Sequence, residues 1–334
     1  MALPDGTFDV DWLEEARAAR ERLAPFLVPT PLLRSRLLSE RLERDVFLKL
    51  ETRHPTGAYK VRPALNGILS HLEEARSRGV LTTSSGNFAQ AVAWAARTLG
   101  VKATIVMTSD TAPYKVERTR AFGAEVLFCG TTFESRFETV AKLEAERGSV
   151  VLHPFDSPET IAGDGTLALE LLEQLPGPFT VGVPASGGGL ISGVAAVLKS
   201  PLLEEASRGA TVVGFQPEAG GAVFRSLEAG TRVNVGKVHT IADALVASIP
   251  GVRTFELIRS FCEGFRLVGE RELAQAMLWL LEEEKLWVEP GGAAAVAGAL
   301  FGREALPGGR GPLVLVLTGG NLDPRRLGEI TALL

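Results

Sequence analysis

Cysteine is almost absent from this chain of 334 residues, with Cys129 and Cys262 the only two. Two thiols cannot build the disulfide framework of a secreted domain, so a reducing, cytoplasmic location is expected. Both thiols are expected to be buried structural groups among apolar neighbours. Histidine is scarce as well: His54, His71, His153 and His239 show no metal-ligand spacing, and no metal site is expected from them. No apolar run approaches ~20 residues, which argues against a membrane span. The opening MALPDGTFDVDWLEEAR has neither the basic nor the apolar stretch of a signal peptide. Positive charge is not in excess either, and a net charge of −5 gives no field for a nucleic-acid backbone. Nucleic acid and membrane therefore drop out as expected partners, and a small molecule remains.

Hydrophobic residues make up 46% and charged residues 22%, an ordinary globular composition. The recurring pattern is a short apolar run, a glycine turn, then an amphipathic stretch. Strands are expected at 46–50, 80–83, 102–107, 125–128, 150–152, 180–183, 211–215 and 313–317. Helices are expected at 63–78, after 87, around 117–122, and at 133–147, 167–175, 191–199, 270–286 and 293–300. Strands alternating with helices through short loops imply an α/β fold with mostly parallel sheets. Neither a Ser/Gly-rich linker nor a low-complexity tract is present, so two closely packed lobes are expected, with the chain passing between them near 156–160. The segment 232–248 is the least regular and reads as a surface lobe.

Three of the glycine turns share one property. A glycine-rich turn that opens a helix exposes unpaired backbone N–H groups at the positive end of the helix dipole. Ser84-Ser85-Gly86-Asn87 adds hydroxyls and an amide, which suits a carboxylate and a phenolic oxygen. Ser186-Gly187-Gly188-Gly189-Leu190 has almost no side chains and suits a phosphate group. Thr318-Gly319-Gly320-Asn321 offers a hydroxyl at a strand end, where open α/β sheets bind ligands. One such turn by itself can simply redirect the chain; three of a kind point to anion binding. Gly187 to Gly193 also fits a loose dinucleotide spacing, with Glu204 and Glu205 following, so a nicotinamide dehydrogenase is a rival.

Most lysines sit beside charged helix neighbours or within strands, but Lys60 follows the turn Pro55-Thr56-Gly57-Ala58-Tyr59 just where a helix begins. An amine held there can form an imine with an aldehyde cofactor, most readily when burial or a cationic neighbour lowers its pKa. Arg62 is a candidate for that neighbour, and equally for a surface ion-pair partner.

Taken in order, these pieces resemble the fold-type II pyridoxal-phosphate enzymes, specifically the threonine dehydratase and serine racemase group. The resemblance runs from Thr30-Pro31-Leu32 through Lys49-Leu50-Glu51, Pro55 to Lys60, Ser84 to Gln90, and His153-Pro154-Phe155-Asp156. It continues through Gly165 to Glu170, Ser186 to Leu190, Thr240 to Asp243 and Glu289-Pro290, and ends at Thr318 to Asn321.

The resemblance implies a tryptophan-synthase-β-like fold. Residues 1–68 and 157–334 would form a large domain that binds pyridoxal 5'-phosphate, and 69–156 a small domain that binds the substrate carboxylate. Lys60 would hold the cofactor as a Schiff base and then act as base. Gly187, Gly188, Gly189 and Leu190 would hold the phosphate, Asn87 the ring oxygen and Thr318 the pyridine nitrogen, with Glu289 in the same set. Ser84, Ser85, Gly86 and Asn87 would grip the substrate. The implied reaction is α,β-elimination of threonine or serine to a 2-oxo acid and ammonia, by a homodimer. Racemisation of serine or aspartate is the alternative, because Ser85 stands where racemases place an acid yet dehydratases carry the same serine.

Departures from the family pattern carry expectations of their own. Phe88 replaces a common histidine and is expected to alter the substrate pocket. Pro63 replaces a glycine and is expected to change the helix start. Gln216 and Ala222 stand at acidic positions, so a divalent-cation site of the racemase kind is expected to be absent or weak. The chain runs only a short way past the last glycine turn, so no regulatory domain is expected.

Overall fold

Short runs of leucine and β-branched residues become strands here, and each glycine turn hands the chain to a helix on a sheet face. The computed structural model describes residues 9–302, 306 and 311–334; residues 1–8, on which part of the signal-peptide reading falls, lie outside the described residues. Ten strands form two sheets: β1 (Leu32–Arg34), β2 (Val46–Leu50), β3 (Val80–Thr83), β4 (Ala103–Thr108), β5 (Glu125–Cys129), β6 (Val150–Val151), β7 (Thr180–Pro184), β8 (Thr211–Pro217), β9 (Gly264–Val268) and β10 (Leu313–Leu317). One sheet has six strands in the order β1-β2-β10-β7-β8-β9, the other four in the order β5-β4-β3-β6. Among the described strands, β1 and β2 alone pair antiparallel. The mostly parallel α/β architecture expected from the alternation is the one observed.

The β10 run LVLVL lies mid-sheet and is buried along its length. Alternation then feeds two cores: Leu313, Leu315 and Leu317 pack with Leu48, Leu50 and Phe215 on one face, while Val314 and Val316 pack with Val181, Val183 and Val212 on the other. In the smaller sheet, Ile105 and Met107 join the core under helix Asn87–Leu99, and Leu81 and Val106 pack with Val140 and Leu143.

Several boundaries differ from expectation. The helix expected over 63–78 is two helices, Val61–Ser70 and Leu72–Arg78, because His71 leaves helical geometry at φ −127° and ψ 33°. Pro63 falls in the first turn, where no intrahelical N–H bond is lost. Helix Pro158–Gln174 begins well before the expected Leu167, capped by the Ser157 hydroxyl accepting from the Thr160 N–H. Gly163 and Gly165 interrupt its apolar pattern because backbone crosses there. A Cβ on Gly163 would lie 2.9 Å from Pro63 Cα and 3.0 Å from the Arg62 carbonyl. That close crossing holds the helix that follows Lys60.

A buried ionic network fixes the same place. Arg62 donates from Nε and Nη2 to Glu51 at 2.8 and 2.9 Å, and from Nη1 to Glu170 at 2.6 Å. Lys49 Nζ donates to Glu170 at 2.6 Å and to the Thr30 carbonyl at 2.9 Å, and His54 lies 3.0 Å from Glu51. Arg62 is therefore a buried partner of carboxylates on a neighbouring turn and a neighbouring helix, and not a surface residue.

Candidate active site

Lys60 is the cap residue of helix Val61–Ser70, and its turn is stitched to the loop after β10. The Tyr59 N–H donates to the Thr318 carbonyl at 3.0 Å, the Gly320 N–H to the Gly57 carbonyl at 2.9 Å, and Asn321 Nδ2 to the Thr56 carbonyl at 2.7 Å. Lys60 and Thr318, far apart in sequence, are thus brought to one cavity. Lys60 Nζ donates to the Pro154 carbonyl at 2.6 Å and lies 4.9 and 5.4 Å from the ring centres of Tyr59 and Phe88. Burial lowers its pKa, and the nearby Asp164 partly offsets the fall. The cationic neighbour suggested by the sequence is not the cause, since Arg62 is held by Glu51 and Glu170.

The triglycine turn forms the opposite wall. Gly188 has φ +103°, and helix Gly189–Leu198 starts there with its N–H groups toward the cavity end. The space for side chains is already filled. A Cβ on Gly187 would lie 2.5 Å from the Phe155 ring, one on Gly188 would lie 2.8 Å from Ile258 and 2.9 Å from Thr254, and one on Gly189 would lie 2.9 Å from Asp164 Oδ2. From behind, Thr254 Oγ1 donates to the Gly187 carbonyl at 2.7 Å, and Asp156 accepts from the Val252 and Thr254 N–H groups at 2.8 and 3.1 Å.

A third wall is the Ser84 to Asn87 turn at the start of helix Asn87–Leu99, with Ser84 Oγ accepting from the Gly86 N–H at 3.3 Å. Asn87 Nδ2 donates to Glu289 Oε1 at 2.6 Å, and its Oδ1 accepts from Asn321 Nδ2 at 2.9 Å. Burial, with Asp243 adding to it, pushes Glu289 up to about 7, while the Asn87 bond opposes the rise. Every residue singled out as a site candidate lines this one cavity: Lys60, Ser84, Ser85, Gly86, Asn87, Gly187, Gly188, Gly189, Leu190, Glu289 and Thr318.

Residues 23–319 match the family described as pyridoxal-phosphate dependent enzyme. The L-threonine ammonia-lyase of Geobacter sulfurreducens is 38% identical over 93% of this chain and 76% of its own length. The L-threo-3-hydroxyaspartate ammonia-lyase of Saccharomyces cerevisiae is 38% identical over 92% of each chain. The structure of maize serine racemase superposes with a TM-score of 0.89 at 33% identity, covering 96% of both chains. This chain belongs to the pyridoxal-phosphate dependent enzymes.

As in its fold-type II neighbours, pyridoxal phosphate is the cofactor, and the residues present fit it. The cavity offers bare backbone donors for a phosphate, a partly buried amine for an aldehyde, and a hydroxyl and an amide for the two polar atoms of the ring. The dinucleotide alternative loses its support, because Glu204 and Glu205 are exposed and lie outside the cavity lining. Replacing Gly188 by alanine is expected to weaken pyridoxal-phosphate affinity ~10–100-fold, as positive-φ strain of about 1–3 kcal/mol adds to the Thr254 and Ile258 collision and disturbs the N–H donors. Absorbance titration of the cofactor-stripped variant reads the change.

Several site residues were not singled out from the sequence. The segment 232–248, read as a surface lobe apart from its Thr240 to Asp243 motif, supplies Asp243 to Ala247 as cavity wall, and Asp243 pairs with Lys115 at 2.7 Å and Arg326 at 3.1 Å. Arg136 lines the cavity too. The His153 to Asp156 motif carries no obvious chemistry by itself. In place, His153 Nδ1 accepts from the Asp156 N–H at 2.8 Å and shapes the turn that offers the Pro154 carbonyl to Lys60. Burial lowers His153 to about 4, so the ring is neutral at neutral pH. Gln216 Oε1 accepts from the Phe224 N–H at 2.9 Å, and its amide lies 3.4 Å from the Ala185 and Ser186 carbonyls behind the triglycine turn. Both cysteines are free and only half-buried, Cys129 at the end of β5 and Cys262 just after helix Val252–Phe261. Strand and helix ends expose them more than their apolar neighbours suggested.

Proposed function

We propose that this enzyme catalyses the α,β-elimination of a small hydroxy-amino acid, threonine or serine, to a 2-oxo acid and ammonia. One observation carries the reading: a partly buried amine of lowered pKa faces the same cavity as a triglycine cradle and a serine-rich helix start. Gly187, Gly188, Gly189 and Leu190 hold the phosphate through backbone N–H groups. Asn87, whose Nδ2 has a second hydrogen beyond the one given to Glu289, would face the ring oxygen, and Thr318 would face the ring nitrogen. When bound, pyridoxal phosphate supplies an aldehyde carbon for the substrate amine and a conjugated ring that accepts the electron pair left at Cα.

Ser84, Ser85 and the N–H groups opening helix Asn87–Leu99 orient the substrate carboxylate. Lys60 then removes the α-proton, a task suited to an amine whose pKa burial has lowered. The β-hydroxyl leaves as water, with the proton that Lys60 took from Cα balancing the step, and the enamine product hydrolyses in solution to the 2-oxo acid and ammonia. Thr318 would meet the ring nitrogen with a hydroxyl in place of a carboxylate, which would leave the ring a weaker electron acceptor.

We assign the six-stranded sheet to the large domain (1–68 and 157–334) and the four-stranded sheet to the small one (69–156). Among the described residues no helix is long and apolar enough to cross a membrane. A cytoplasmic location is supported by the two free thiols, and a homodimer by exposed apolar side chains such as Val28 and Leu33 near the β1 edge.

Two other substrate readings have support. Ser85 lines the cavity, and maize serine racemase is a structural neighbour, so racemisation is the alternative at the same site. Arg136 offers a cation for a second carboxylate, as in L-threo-3-hydroxyaspartate. Incubation with L-threonine, L-serine and L-threo-3-hydroxyaspartate separates these readings. Keto acid and ammonia from threonine or serine are expected. Keto acid from hydroxyaspartate alone would move the substrate class, and D-serine without keto acid would replace elimination by racemisation.

A further inference from the structure

Beneath the triglycine cradle lies a carboxyl group that the elimination chemistry does not use. Asp164, in the second turn of helix Pro158–Gln174, is fully buried, and neither of its oxygens has a hydrogen-bond partner. Its Oδ2 lies 2.9 Å from where a Cβ on Gly189 would sit, and its Cβ lies 3.2 Å from the corresponding position on Gly193. The carboxyl thus forms the floor under the first residue of the helix that receives the phosphate.

The groups facing it are few. Lys60 and Arg62 act on it from the start of helix Val61–Ser70, Glu51 from the turn after β2, and Tyr59 from beside Lys60. Helix Gly189–Leu198, with the sequence GLISGVAAVL, presents no titratable group, and His153 faces Asp156, Lys60 and Arg253. Arg62 is already bonded to Glu51 and Glu170. Among the described residues this leaves Lys60 as the cation with the strongest hold on Asp164, acting through its field and not through a direct hydrogen bond.

We propose that Asp164 is a positioning residue for the cofactor, a buried acid that takes up a proton as Lys60 surrenders one, so that the two side chains carry one proton between them whether the cradle is empty or filled. With the cradle empty, Lys60 carries a proton and Asp164 does not. To attack an aldehyde carbon the amine needs its lone pair free. Lys60 releases one proton to solvent in the open cavity and Asp164 takes one up, so one N–H bond breaks, one O–H bond forms and the net charge of the two side chains is unchanged. The arriving phosphate drives the exchange, since an ionised carboxylate under the cradle would repel it in a dry setting. Burial is the largest influence on Asp164 and pushes its pKa up to about 7, with Lys60 and then Arg62 opposing, which puts the carboxyl within reach of protonation at neutral pH.

The proposal rests on Lys60 being the cofactor-binding amine, and its test separates the two ideas. Infrared difference spectra between cofactor-stripped and pyridoxal-phosphate-loaded protein are compared with and without ¹³C-aspartate labelling. Loading should add a protonated-carboxyl band that shifts with the aspartate label, which excludes Glu289, and that is lost in Asp164→Asn. In the stripped protein, Asp164→Asn should also lower the pH midpoint of the rate at which Lys60 captures pyridoxal phosphate. A missing label-sensitive band, a band that survives in Asp164→Asn, or an unshifted midpoint overturns the proposal. The labelled wild-type protein gives the answer even if Asp164→Asn does not fold. Failure of borohydride to fix the cofactor on Lys60 would instead end the functional reading itself.

Discussion

Replacing Lys60 by alanine is expected to lower turnover of the hydroxy-amino acid by ~10³-fold or more, with the secondary structure retained. The loss combines two roles in one nitrogen, which anchors the aldehyde and removes the α-proton. Arginine should rescue nothing, because a guanidinium keeps its proton and cannot serve as nucleophile or base. Folding should survive, because the ionic network that fixes the start of this helix uses Arg62, Glu51 and Glu170 and not Lys60. Initial rates with far-ultraviolet circular dichroism check both halves. A variant retaining a tenth of wild-type turnover would remove Lys60 from the mechanism.

Arg62→Leu is expected to destabilise the protein by about 3–5 kcal/mol, the range for breaking a buried ion pair from one side. Glu51 is fully buried and Glu170 nearly so, and both would lose their bidentate or direct partner. Burial alone would raise both carboxyls, yet Arg62, helped by His54 at Glu51 and by Lys49 at Glu170, holds them below the usual glutamate range. The sign follows from that depression. The stabilisation is present above the ordinary glutamate value of 4.5 and fades as pH falls through the lower folded values. The gap between wild type and Arg62→Leu should therefore be wide at neutral pH and narrow in acid, where protonation relieves the unpaired carboxylates. Denaturant midpoints at the two pH values measure it, and a gap that does not shrink would contradict the network's role. Turnover should fall as well, since Arg62 sits two residues past Lys60.

Much of this architecture is legible in the chain, for reasons that vary by element. Buried parallel strands such as LVLVL read directly, because both faces demand apolar residues. The three glycine turns read because glycine is required where side-chain space is already filled, as Phe155 fills it at Gly187. Helix Pro158–Gln174 was hidden in its first half because Gly163 and Gly165 serve a backbone crossing that local periodicity cannot reveal. Lys49 looked like one alternating strand position, whereas its partner Glu170 lies 121 residues away. Asp164 gave no sign, since a single acid in a helix reads as a solvated face. The wall at Ala244 to Ala247 reads as surface in the sequence because only the placement of the two sheets turns an irregular segment inward.

Borohydride reduction of the purified protein, followed by mass mapping of the modified peptide, tests the central chemistry most directly. If Lys60 is the cofactor-bearing amine, the pyridoxyl mass lies on the peptide containing Lys60 and 2-oxobutanoate formation from threonine stops with the reduction. Modification instead at Lys115, which reaches the cavity wall through Asp243, with threonine turnover intact, would contradict it.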